Sequence, residues 1–128
     1  MEDLDADWNL VWELNQRVQR GEALALTEEV RELLRRAGLS VALGSSEIEA
    51  ALQRTESATA LIQRIDARVH EGSRRLSAAL NQMYRLRDSG DLEAARQQMR
   101  DVLSVEVVPH YRDIAEGQLE RLDELTRI

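Results

Sequence analysis

The sequence predicts an all-α protein, a helical bundle built on a long antiparallel helical hairpin, and three observations predict it. From Ile48 onward a stripe recurs at intervals of three and four: Ile48, Ala51, Thr55, Ala58, Ile62, Ile65, Val69, Gly72, Leu76, Ala79, Met83 and Leu86. No charged residue falls on it, which is the pattern that holds one face of a long helix against partner helices. Six glycines and a single proline, Pro109, leave the chain few places to turn. Phe is absent and the only aromatic residues besides histidine are Trp8, Trp12, Tyr84 and Tyr111, so the core must be aliphatic. At 128 residues the expectation is one domain, 1–128, with a modest core.

The first predicted helix covers about 7–20, with Asp7 as its N-cap and Trp8, Val11, Trp12, Leu14 and Val18 as its apolar residues. Gly21 stops it after Arg17 and Arg20, cations suited to a helix C-terminus. Trp8 and Trp12 lie one turn apart, able either to seal the end of a bundle or to offer an aromatic patch to a partner. A second short helix covers about 28–37, capped by Thr27 and closed by Gly38, with Val30, Leu33, Leu34 and Ala37 on one face.

Gly44-Ser45-Ser46 is the clearest break, and Ser46 with Glu49 reads as a capping box that starts the long helix at Glu47. That helix is expected to run over 47–88, continuous or bent at Gly72-Ser73, with small residues (Ala51, Ala58, Gly72, Ala79) alternating with bulky ones for close helix packing. Asp88-Ser89-Gly90-Asp91 is a turn, and Asp91 can cap the next helix. The C-terminal helix or helices span 91–127: Leu92, Ala95, Met99, Val102 and Leu103 before Pro109, then Tyr111, Ile114, Ala115, Leu119, Leu122 and Leu125 after it. Pro109 either kinks one long helix or opens a new one. Taken as one kinked arm, 91–127 would reach about 55 Å at about 1.5 Å per residue, close to the reach of the long helix.

Composition narrows function. Cys is absent, which removes disulfides and thiolate chemistry. No apolar run approaches the roughly 18 residues of a membrane span, and the acidic start, Glu2, Asp3 and Asp5, is unlike a signal peptide. A cytoplasmic protein of bacterial type is expected. All 17 basic residues are arginines, against 24 acids, for a net charge of −7. That charge repels nucleic acid and anionic membranes and attracts a basic protein partner.

Candidate sites are few. His70 and His110 stand at similar distances from the turn at Ser89-Gly90, and with Asp66, Glu71, Glu106 or Asp113 a metal site can be drawn. No His pair at i, i+4 and no His-Glu zinc motif accompanies them, so a solvated His70 is the plainer expectation and no metal or cofactor is assigned. Paired carboxylates occur throughout so acidic a chain and single out no acid–base site, and no glycine-rich phosphate loop is present. Arg35-Arg36, Arg74-Arg75 and Arg85 with Arg87 are each flanked by carboxylates, as in ion-paired solvated faces. The acids are more one-sided. The N-terminus carries Asp3, Asp5 and Asp7, and the last helix carries Glu116, Glu120, Asp123 and Glu124. With Trp8 and Trp12 these are the candidate partner-binding residues, as an electrostatic guide or as ordinary solubilising surface.

Two segments carry a resemblance. Gly90-Asp91-Leu92-Glu93-Ala94-Ala95-Arg96 looks like the inter-helix turn of a tetratricopeptide repeat, but no period of roughly 34 residues accompanies it. Leu76 to Leu122, through Asn81-Gln82-Met83-Tyr84-Arg85-Leu86-Arg87-Asp88-Ser89-Gly90-Asp91 and Val105-Glu106-Val107-Val108-Pro109-His110-Tyr111, resembles the DUSAM-domain family, as does Leu24-Ala25-Leu26-Thr27. That family is myxobacterial and expanded in paralogues. By association the resemblance implies an immunity protein paired with a toxin used in kin discrimination. The expected function is therefore a non-enzymatic protein-interaction domain, an inhibitor neutralising a basic toxin such as a nuclease. The alternative is a self-associating structural or regulatory bundle, for example a homodimer.

Overall fold

The structure, a computed structural model, describes residues 4–126, which form helices and no strand. In order they are α1 (Leu4–Gln19), α2 (Glu28–Ser40), α3 (Ser45–Ala51), α4 (Thr55–Asp88), α5 (Leu92–Val105) and α6 (Pro109–Thr126). The chain divides into two compact units, Met1–Val69 and His70–Ile128. The long helix α4 contributes to both, and it passes Gly72-Ser73 without interruption.

In the first unit α1 and α2 are antiparallel. Near the start of α1 and the end of α2, Arg36 grips Asp7 through Nε and Nη2, both at 3.1 Å, and Trp8 Nε1 donates to Ser40 Oγ at 2.9 Å. The first helix thus begins by Leu4, earlier than 7, and Asp7 is no N-cap: its carboxylate is taken by an arginine 29 residues away. At its other end Gly21 takes φ +88, with Gly21 N–H bonded to Val18 and Glu22 N–H to Arg17, the two-bond closure expected of a helix-ending glycine.

Thr27 caps α2 as read, its Oγ1 accepting from Val30 N–H at 3.2 Å. The end of α2 differs. Gly38 lies inside the helix, where a Cβ would stand 2.7 Å from Ile48 Cδ1, so the bare backbone lets α3 approach. The left-handed closing residue is Ala42 instead, at φ 66.

The helix expected over 47–88 is two helices. α3 begins one residue after Gly44, whose N–H is accepted by Glu47 Oε1 at 3.4 Å, so the capping box predicted from Ser46 and Glu49 is shifted by two residues and half made. The ladder breaks at 52–54 because side chains take the carbonyls a continuous helix would use. Ser57 Oγ donates to Ala51 O at 2.6 Å and Arg31 Nη1 to Leu52 O at 2.8 Å. The break turns Leu52 fully inward and leaves Thr55, on the predicted stripe, exposed. Elsewhere the stripe holds: Ile48, Ala58, Ile62, Ile65, Gly72, Leu76 and Met83 are buried. With Val11, Leu34 and Leu61 the first four of these form the first unit's interior.

In the second unit the chain turns at Gly90 (φ +90) and Asp91 caps α5 by accepting Ala94 N–H at 3.1 Å. The arm 91–127 is not one kinked helix. Residues 106–108 are extended, consistent with the backbone restriction Pro109 places on Val108, and Pro109 opens α6 where its missing N–H costs nothing. α5 and α6 pack antiparallel, Arg112 Nη1 donating to the carbonyls of Leu103 and Glu106 at 2.8 Å each. Met99, Val102, Tyr111, Ala115 and Leu122 fill the interior with Leu76 and Met83. Gly72 lies under the ring of Tyr111: a Cβ there would be 2.5 Å from Tyr111 Cδ2 and 2.9 Å from Glu106 Oε1.

Candidate protein-interaction surface

Most arginines of this chain are already engaged. Arg35 is held by Glu28, Glu32 and Glu49, Arg64 by Glu47, Arg36 by Asp7, and Arg96 and Arg100 both reach Glu93. The carboxyls respond. The Arg35 hydrogen bond holds Glu49 below the usual carboxylate range, the Arg64 hydrogen bond does so for Glu47, and Arg100 with Arg96 does so for Glu93. The guanidinium of Arg35 is raised in turn, first by its hydrogen bond to Glu49. The rows of charge along α2, α3 and α5 are thus largely neutralised within the fold.

The outer face of α6 is different. Tyr111, Ala115 and Leu122 turn inward, and at intervals of three and four residues Asp113, Glu116, Glu120 and Glu124 turn outward, all exposed. None of these four carboxylates forms an ion pair among the described residues. Asp123 is exposed as well and lies 3.9 Å from Arg96 Nη1, a loose pair. The result is a row of negative charge not ion-paired among the described residues, which is a surface for cationic groups.

The N-terminal candidates are dispersed. Asp3 lies outside the described residues, Asp5 is exposed, and Asp7 is tied to Arg36 with its side chain 14% exposed. Trp8 is buried and its N–H is satisfied by Ser40, whereas Trp12 is 45% exposed, so the pair is not one patch. His70 and His110 are both exposed, and no group of three or more potential metal ligands occurs among the described residues. No described helix is long and apolar enough to cross a membrane.

Periodicity missed a second surface. Between α1 and α2 runs a groove of about 420 Å³ whose floor is Leu10, Leu14, Val30 and Leu33. In sequence Leu14, Val30 and Leu33 read as apolar-face residues; the exposure of Leu10, at 47%, marks the face as open.

The family model described as Protein of unknown function (DUF2379) matches residues 6–122. The chain belongs to that family. The DUF2379 match opens inside α1 and closes at Leu122 in α6, so it covers both units and the acids Asp113, Glu116 and Glu120, while Asp123 and Glu124 lie beyond it. No curated protein and no solved structure matches the chain.

Proposed function

We propose that this DUF2379 chain is a non-enzymatic protein-interaction domain that captures a basic protein on the outward face of α6. In its most specific form it is an inhibitor that neutralises a cognate basic toxin, such as a nuclease, in bacterial competition. The observation that supports this reading is the row Asp113, Glu116, Glu120 and Glu124, exposed and without ion pairs among the described residues, on a chain of net charge −7. Carboxylates at helical spacing imitate a run of phosphates, so they steer a nucleic-acid-binding surface into contact and compete for its arginines and lysines. The likeness to the DUSAM-domain family supports the inhibitor form by association.

The test is a pull-down from the native host at low salt, eluted by a salt gradient, run with the natural chain and with E116R/E120R/E124R. A basic partner retained by the natural chain, released by moderate salt and lost by the triple variant is the expected result. Equal retention by both proteins would remove α6 from the interface, and recovery of no basic partner would remove the proposal.

A further inference from the structure

We propose that the α1–α2 groove is a self-association surface, occupied in solution by α1 of a second copy of this chain, whose own groove receives α1 in return. The floor of Leu10, Leu14, Val30 and Leu33 is a continuous apolar strip between two antiparallel helices, the shape into which helices pack. On the α1 wall stand Glu13 and Arg17, one helical turn apart and both exposed. Each lies within reach of the other, yet neither forms an ion pair among the described residues. The other cation on the rim, Arg36, is already neutralised by Asp7.

An anion and a cation on one wall are the charge pattern that a two-fold axis satisfies. With the axis at the level of Asn15 and the two α1 helices antiparallel, Glu13 of each copy faces Arg17 of the other, and both pairs form at once. An unrelated helix would have to carry the matching charges at the matching spacing; a second copy supplies them by symmetry. Leu14 of each copy lies next to that axis, so the two leucines meet across it. This surface involves none of the α6 acids, so it and the proposed capture of a basic partner can fail separately.

Sedimentation equilibrium of the full chain over a concentration series tests the pairing. The natural chain is expected to dimerise. E13R places two arginines, and R17E two glutamates, at positions that face each other, so each variant alone is expected to dimerise at least about tenfold more weakly. The double variant E13R/R17E restores both pairs in reverse and is expected to dimerise like the natural chain. An equimolar mixture of E13R and R17E is expected to form a heterodimer. All three variants lie on an exposed wall, and circular dichroism of each checks that it keeps its helices. A natural chain that stays monomeric across the series overturns the proposal, as do single variants that dimerise undiminished or a mixture that stays monomeric.

Discussion

Arg75 and Glu106 are joined at 2.8 Å by an ion pair with one sealed and one open end: the glutamate side chain is 1% exposed and the arginine 35%. The second carboxylate oxygen accepts the N–H groups of Val107 and Val108 at 3.1 and 3.0 Å, so the buried charge is solvated by the fold and not by water. One side chain thereby closes the α5–α6 turn and links it to α4.

Removing the two partners should have unequal effects. Glu106→Ala strands two turn N–H groups and a half-buried guanidinium, and is expected to cost about 3 kcal/mol of stability. Arg75→Ala leaves the carboxylate its backbone donors and should cost less, about 1–2 kcal/mol. Urea unfolding of both variants measures the difference, and equal losses would mean that the backbone bonds contribute little.

Two helical glycines should respond in opposite directions to alanine. Gly72→Ala drives a methyl group into Tyr111 and should destabilise by about 1–3 kcal/mol despite the gain in helix propensity. Gly117, in α6, has open space around its missing Cβ, so Gly117→Ala should stabilise by up to about 1 kcal/mol. Thermal midpoints of the pair decide it.

Ala42 ends α2 in the left-handed region at φ 66, which costs an L side chain roughly 1 kcal/mol. Ala42→Gly is therefore expected to raise the thermal midpoint, a gain that comes from backbone strain alone.

The tryptophans should separate by fluorescence. With Trp12 replaced by Phe, the remaining Trp8 should emit to the blue and resist acrylamide. With Trp8 replaced by Phe, the exposed Trp12 should emit to the red and be quenched freely, and similar quenching in both variants would contradict the burial of Trp8.

Acid should loosen the α2–α3 and α5 ion pairs. Glu47, Glu49 and Glu93 all sit below their ordinary 4.5 in the folded chain, Glu47 through Arg64, Glu49 through Arg35, and Glu93 through Arg100 and Arg96. A depressed carboxyl contributes stability that is present above the unfolded value and lost as pH falls through the folded one. Thermal midpoints should therefore fall as the pH drops below 4.5, and Glu49→Gln with Glu93→Gln should flatten that limb of the profile.

The sequence was legible where a local rule decided the outcome. Thr27 caps α2, Gly21 ends α1, and the stripe from Ala58 to Met83 lies inward, because caps and helical period act within a few residues. It was misleading where distant groups intervened. Asp7 has the chemistry of a cap, but Arg36 claims it, and no local pattern announces a partner 29 residues on. Ala51 and Thr55 keep the period across the α3–α4 break, so only Ser57 and Arg31, competing for carbonyls, could have revealed it. Pro109 allowed both a kink and a fresh start, and Glu106 holds the N–H groups of the two residues before that start. The α6 acids are readable from spacing, whereas the groove is not, since Leu14 and Val30 have the look of interior residues.

Because α4 runs unbroken through Val69 and His70, the border between the two units falls in the middle of a helix. Severing the chain there would strip up to about four carbonyls on the N-terminal side of the cut, and four amides on its C-terminal side, of their partners. No linker exists at that border for a protease to open or for recombination to join cleanly. An exchange that respected both interiors would have to join the two halves in register within one continuous helix.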